Sequence, residues 1–231
     1  MKKKDDESKN RRNTTRLSMD CKAAAKIGNF SRGGKTRGCS EAPDHDFGCA
    51  EKYIPCGILN ENSGELFISF GSSHKTGDFI ADTLITWWNA LDIKEKNSTD
   101  LIQIKADSGS ESSGVRTRFL SRMASFARKT NKYLQLLYYP PYHSKCCPIE
   151  RCRGIPEKHR NGTMLTDAGT MLKRAGSMTR KGIHPFAKIN KKRYKKGISL
   201  KKSAMRSVEK YLVRNPDLPK WDILIYPHAV T

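Results

Sequence analysis

Asp20, Asp107 and Glu150 are the residues of this chain whose types and placement could do chemistry together. Asp20 follows the short run Arg16–Met19, Asp107 follows the alternating run Leu101–Ala106, and Glu150 comes just after Pro148, where a new helix can begin. The positive end of a helix dipole favours an ionised carboxylate at such a start. Three carboxylates converging at strand ends would make an oxygen-rich site for hard cations such as Mg²⁺. A pair of such ions can activate a water or a 3′-hydroxyl while stabilising the leaving oxygen of a phosphodiester. Taken singly, each acid is more commonly a solvated surface residue. The case therefore rests on the elements that must bring them together.

Arg16–Met19 reads as a strand, with a second short strand at Lys26–Asn29 that can hairpin back onto it. Residues 31–52 have four glycines, a proline and no period, which predicts a long excursion loop. Within it, Gly33-Gly34-Lys35-Thr36 resembles the tail of a phosphate-binding loop, but Asn29 occupies the position of the required first glycine, which excludes that motif. Lys52–Leu59 and Glu65–Phe70, joined by the turn-rich Asn60–Gly64, predict a hairpin. Thr76 is an N-cap for a helix in which Phe79, Ile80, Leu84, Trp87, Trp88 and Leu91 recur at helical spacing. That spacing favours core packing over base stacking for the paired tryptophans.

Asp92–Asp100 reads as a polar connector, Leu101–Ala106 as a strand delivering Asp107, and Ser108–Gly114 as a flexible loop. A second amphipathic helix starts at Val115, with Phe119, Met123, Phe126 and Ala127 inward and five basic residues outward. Tyr133–Tyr139 is the most strand-like run and stops at Pro140 and Pro141, which have no N–H to donate to a ladder. His143, Ser144 and Lys145 make a turn before Glu150, and Trp221–Tyr226 reads as a terminal strand.

Composition bounds the partners. The chain has 231 residues, a net charge of +21 and a mean hydropathy of -0.69. One core with solvated ends is expected, and so much positive charge asks for a polyanion, with nucleic acid the leading one. Residues 161–215 are helix-prone and dense in Lys and Arg, above all Lys191, Lys192, Arg193, Lys195 and Lys196 around Tyr194. Such density suits phosphate-backbone contacts, although a solvated basic surface is the plain alternative. No run approaches the roughly 18 apolar residues of a membrane span, and no apolar segment follows the charged N-terminus, so a cytoplasmic, nucleoid-associated protein with no membrane partner is expected. Seven cysteines without framework spacing suggest free thiols. His143, Cys146, Cys147 and Cys152 could be read as a zinc site, but adjacent cysteines rarely both ligate one tetrahedral ion. His143 and Lys145 are better placed as contacts to a scissile DNA backbone.

The segments MDCKAAAKIGNFSRGG, DHDFG, TGDFIADTLITWW, KADSGSESSGVRTRFLSRMASFA and YYPPYHSKCCPIERCRGIPEKHRNGT, in that order, resemble the insertion-sequence DDE transposases of the ISAzo-thirteen group. The resemblance covers roughly residues 14–226, nearly the whole chain. It implies a ribonuclease H-like α/β fold, a mixed five-stranded sheet flanked by helices, with a basic helical C-terminal extension. The expected organisation is a disordered leader over residues 1–15, a catalytic core over 16–160, and the extension with a terminal strand over 161–231.

The resemblance further implies that Asp20, Asp107 and Glu150 form a DDE triad holding two Mg²⁺ ions, with Mn²⁺ able to substitute. The activity implied is phosphodiester hydrolysis and strand transfer in DNA transposition. The partners implied are double-stranded DNA, as element ends and target, and a second copy or a full-length transposase. Family members usually carry an N-terminal helix-turn-helix for which 231 residues leave no room, so an N-terminally truncated copy is expected. Cys146 and Cys147 stand where the family pattern resembles an aromatic residue and Asn, and Arg153 and Arg160 stand where tryptophans are expected. These departures keep open a second reading, a catalytically silent DNA-binding remnant.

Overall fold

β1 (Thr14–Cys21) lies inside a mixed sheet and makes one parallel and one antiparallel partnership. The computed structural model describes residues 7–9, 11–28, 51–139, 148–149 and 165–230. Glu150, His143, Lys145, Cys146, Cys147, Cys152, Arg153 and Arg160 lie outside the described residues. Antiparallel to β1 runs β3 (Glu51–Asn60), which forms the expected hairpin with β4 (Leu66–Gly71). On the other side β5 (Leu101–Asp107) runs parallel to β1, and β6 (Tyr133–Tyr139) runs parallel to β5. The central order β4-β3-β1-β5-β6 is consistent with the ribonuclease H-like expectation.

The sheet has nine strands rather than the expected five. β7 (Phe186–Asn190) joins the β4 edge in parallel, while β9 (Asp222–Ile225) and β8 (Leu212–Arg214) extend the β6 edge antiparallel. β2 (Ala25–Ile27) pairs with β3 and not back onto β1, so the expected first hairpin does not form. The β1 edge that such a hairpin would need is already taken by β3, a ten-residue strand that buries far more apolar surface than a three-residue strand can.

Two helices cover one face. α1 (Gly77–Ala90) is capped by Thr76, whose hydroxyl accepts from the Phe79 amide, as its sequence predicts. α2 (Ile93–Ser98) occupies the stretch expected to be a connector. Its signal is local: the Asp92 carboxylate accepts from the Glu95 amide and Glu95 accepts from the Asp92 amide, a capping box. α3 (Thr117–Thr130) packs beside α1, and Leu17, Met19, Ile58, Ile104, Phe79, Leu84, Trp88, Phe119 and Met123 form their shared core. Trp87 and Trp88 are buried there, as packing residues. Each of these side chains contributes about 1.5–3 kcal/mol by leaving water.

The opposite face divides in two. Over β2, β3 and β4 it is covered by α4 (Ala168–Gly176), with Ile27, Tyr53, Phe70, Met171 and Met178 in a second cluster. Nearer the centre, Leu59, Tyr139 and Ile149 make a third, smaller cluster. The basic C-terminal region, read as predominantly helical, holds α4, strand β7, an irregular segment over 191–201, and α5 (Lys202–Glu209). Propensity favours helix there, but β7 gains a full parallel ladder with β4 and stacks Phe186 on Phe67 at 5.6 Å. Near the N-terminus Ser8 is buried, its hydroxyl donating to Gln103 Oε1 at 3.0 Å.

Candidate active site

Residues of one strand alternate between faces, so the core partners Leu17 and Met19 on β1 direct Ser18 and Asp20 to the other side. On β5, Ile102, Ile104 and Ala106 belong to the helix-covered core, which sends Lys105 and Asp107 to that same second side. The parallel register pairs Ser18 with Lys105 and Met19 with Ala106. One step further, Asp20 and Asp107 stand side by side on strands about 4.8 Å apart. Both aspartates end their runs, Asp20 one residue before the close of β1 and Asp107 as the last residue of β5.

The two carboxylates are half-buried and like-charged, an arrangement that repels itself unless cations are close. Lys22 supplies one, forming an ion pair with Asp20. Lys75, from the loop after β4, donates to the Cys21 carbonyl at 3.4 Å and places a second ammonium beside the end of β1. Oxygen donors of this hardness suit a Mg²⁺- or Mn²⁺-type ion. Among the described residues no cluster of three or more His, Cys, Asp or Glu could hold a metal ion.

The backbone beyond Asp107 is tied down. The Asp107 carbonyl accepts from the Gly109 amide at 2.8 Å and from the Ser112 hydroxyl at 3.4 Å. Tyr138, buried in β6, donates its hydroxyl to the Ser112 carbonyl at 2.6 Å, and burial pushes that phenol well above its ordinary range. Gly114 closes the loop against the Lys220 carbonyl, where an added Cβ would sit 2.3 Å from that oxygen. A loop expected to be flexible is thus held at both ends.

Glu150, the third acid of the expected trio, follows a residue whose place is defined. Ile149 is buried, its amide donates to the Ser18 hydroxyl at 3.3 Å, and its Cδ1 lies 3.0 Å from where a Cβ on Gly57 would be. Gly57 is the cross-strand partner of Asp20. The glycine lets the Ile149 side chain lie directly on β3 beside the Asp20 position, on the same face as both aspartates. Pro148 and Ile149 form a turn.

Cys21 and Cys56 are free cysteines and cross-strand partners next to Asp20. The Cys21 thiol is pushed well above its usual value, first by its hydrogen bond with Cys56 and then by burial. It is a neutral group packed against the helix-covered core, on the face opposite the carboxylates.

The basic residues expected to meet DNA lie in the segment after β7. Lys191, Lys192, Arg193, Lys195 and Lys196 are exposed, while Tyr194 among them is buried. Because β4 and β1 are both antiparallel to β3, and β7 is parallel to β4, this segment leaves the sheet at the end where Asp20 and Asp107 stand. Asp82, on α1, is not a candidate from sequence, yet it accepts from Tyr194 and pairs with Arg122 and Lys192. A signal for it exists: Asp78 and Asp82 at i and i+4 on α1 face Arg118 and Arg122 at i and i+4 on α3. Lys75 has no sequence signal, since only the fold carries it to β1.

Among the described residues no helix is long and apolar enough to cross a membrane. No match is found among curated proteins. The family described as Rhodopirellula transposase DDE domain matches residues 1–227, nearly the whole chain. With two aspartates presented at neighbouring strand ends of a mixed α/β sheet, and a family match of that extent, the chain belongs to the Rhodopirellula transposase DDE domain family.

Proposed function

We propose that this chain is the catalytic domain of a DNA transposase, cutting phosphodiester bonds at element ends and joining them to target DNA. The observation that carries this reading is the parallel register of β1 and β5, which pairs Met19 with Ala106 and so brings the next residues, Asp20 and Asp107, to the same sheet end. Glu150 is proposed as the third carboxylate. Support comes from Ile149, the residue before Glu150, which is seated against Ser18 and Gly57 on the carboxylate face. Asp20, Asp107 and Glu150 would hold two divalent ions, Mg²⁺ or in its place Mn²⁺. Such ions supply Lewis-acid activation of the attacking oxygen and charge stabilisation of the leaving one.

The chain's own part in this reading is positional. Asp20 is held by its pairing with Gly57 of β3 and Asp107 by its pairing with Tyr139 of β6, while the parallel pairing of Met19 with Ala106 sets the two strands together just before them. Lys22 offsets the repulsion between the acids before metal binds and moves off Asp20 when it does. In this division of labour residues 16–160 supply the chemistry, with His143 and Lys145 on the scissile backbone, and residues 161–231 supply basic contacts. The protein would act on the nucleoid in the cytoplasm, as a homo-oligomer or with a full-length transposase.

Supercoiled-plasmid nicking in Mg²⁺ or Mn²⁺ tests the reading. Wild type should nick, and Asp107→Asn should lose at least about a hundredfold, since even outer-shell substitutions at metal sites cost 10–100-fold. Nicking that survives the substitution sinks the assignment of Asp107. Salt-sensitive DNA binding by a wild type that never nicks would establish the silent DNA-binding remnant instead.

A further inference from the structure

The segment Lys191–Lys196 is the densest basic run in the chain, and runs of this kind are usually solvated surface. Here it is built into the fold. Tyr194 is 6% exposed and packs on Phe79 with ring centroids 5.7 Å apart. Its hydroxyl donates to Asp82 at 2.9 Å and accepts from Asn190 Nδ2 at 2.7 Å. Its amide donates to the Ser73 hydroxyl at 3.0 Å, and that hydroxyl donates to the Lys192 carbonyl at 3.2 Å. The Lys192 amide in turn donates to Asn190 Oδ1 at 2.9 Å. The backbone from Asn190 to Tyr194 is therefore fastened to the loop after β4 and to α1.

This fastening divides the five cations. The Lys192 ammonium pairs with Asp82 at 2.7 Å and lies 5.4 Å over the Tyr194 ring, so its charge is directed to a partner within the protein. Lys191, Arg193, Lys195 and Lys196 are exposed and make no ion pair among the described residues. The segment that carries them leaves the sheet at the end that bears Asp20 and Asp107, on the side covered by α1. Lys75, half-buried on the same loop as Ser73, fills the interval between this rim and the end of β1.

We infer that Lys191, Arg193, Lys195, Lys196 and Lys75 form a fixed phosphate track for duplex DNA at the sheet end that bears the carboxylates, and that Tyr194, Asp82 and Lys192 are the hook that positions it. The inference rests on the DNA substrate proposed above. It also removes Lys192 from the contacts that sequence density assigns to it. A fixed array of cations meets a phosphate backbone without the ordering cost that a loose tail incurs, so the hook raises affinity without touching DNA.

The test uses the full chain and a fluorescent linear DNA duplex of mixed sequence, titrated at several salt concentrations. Removing one cation that neutralises a phosphate should lower the slope of log affinity against log salt by about 0.9. Lys191→Gln, Arg193→Gln, Lys195→Gln and Lys196→Gln should each do so, and Lys192→Gln should leave the slope unchanged. Tyr194→Phe keeps every charge but removes the hydroxyl from Asp82. It should weaken binding severalfold in a protein whose circular dichroism is that of wild type. A Lys192→Gln slope that falls as far as that of Arg193→Gln overturns the hook. Unchanged slopes in the four rim variants overturn the track, and if wild type still nicks through Asp107 the proposed catalysis stands without it. Conversely, normal rim dependence with no nicking by wild type sinks the catalysis and keeps the track.

Discussion

Asp20 and Asp107 stand on neighbouring parallel strands, whereas Asp78 and Asp82 stand one turn apart on α1, and the two aspartate pairs have been given different surroundings. Asp78 accepts both of its bonds from the Arg118 Nε, at 2.9 and 3.1 Å, and Arg122 lies 3.6 Å away. Asp82 is reached by Arg122, Lys192 and Tyr194. These donors come from α3 and from the segment after β7, so the helical pair joins three separate parts of the chain. The strand pair faces the side of the sheet where Ile149 brings in the segment preceding Glu150. Proximity of two acids is therefore uninformative alone. What surrounds them separates a fastening from a candidate metal site.

The largest effect expected from this contrast is on metal-linked stability. A ligand present at a hundred times its dissociation constant stabilises the folded state by about 2.7 kcal/mol. Mg²⁺ or Mn²⁺ should raise the melting temperature of wild type, and Asp20→Asn or Asp107→Asn should abolish the rise. Asp107→Asn should also raise the metal-free melting temperature, because it removes one of two adjacent like charges, whereas Asp20→Asn should raise it less, since it also loses the pair with Lys22. Asp82→Asn should keep the metal-induced rise. Equal loss of the rise in Asp82→Asn and Asp107→Asn would erase the distinction between the two pairs.

Next in size is the fastening itself. Asp82→Ala strands three donors at once, and charged hydrogen bonds contribute about 1.5–3 kcal/mol each when well shielded. Arg122 and Lys192 are partly open to solvent, so a net loss of about 1–2 kcal/mol in urea unfolding is expected, with the denaturant slope unchanged. Lys192→Gln removes one exposed ion pair and should cost about 0.5 kcal/mol or less. A loss for Lys192→Gln as large as that for Asp82→Ala would mean that Tyr194 and Arg122 contribute little.

The strand pair is legible in the sequence because its signals are local: Asp20 and Asp107 follow runs whose alternation is readable, and Thr76, Phe79 and Trp88 announce the covering helix. The joining of distant segments is not. β2 has a short run that suits β1 or β3 equally, and only competition for the β1 edge decides. β7 lies in a stretch whose Lys-rich composition favours helix, and its partner β4 is more than a hundred residues away. Lys75 carries no pattern of its own and Asp82 only its i, i+4 spacing from Asp78, since their partners Cys21, Lys192 and Tyr194 are brought to them by the fold. The capping box at Asp92 is readable in principle, but the polarity of Asp92–Asp100 masks it behind the look of a connector.

Asp167 is held in a third way, and the effect expected of it is the smallest. It caps α4 from an exposed position with no ion pair among the described residues: its carboxylate accepts from the Thr170 hydroxyl at 2.6 Å, the Thr170 amide at 2.9 Å and the Thr166 hydroxyl at 3.0 Å. The bond from the Thr170 hydroxyl, then those from the Thr170 amide and Thr166, hold its pKa at about 2 against an ordinary 3.8. A folded-state value below the unfolded one means that the cap contributes fully above about pH 4, fades as pH falls from there, and is gone below about pH 2. A carbon-detected NMR titration of the Asp167 carboxyl should give a midpoint near 2, and the Thr170 amide should shift with it. Thr170→Val, which keeps the amide but removes the hydroxyl, should move the midpoint part of the way back towards 3.8. A wild-type midpoint already at 3.8 would show that hydrogen bonds in full contact with water do not hold a carboxylate's charge here, and that cations such as those around Asp82 are required.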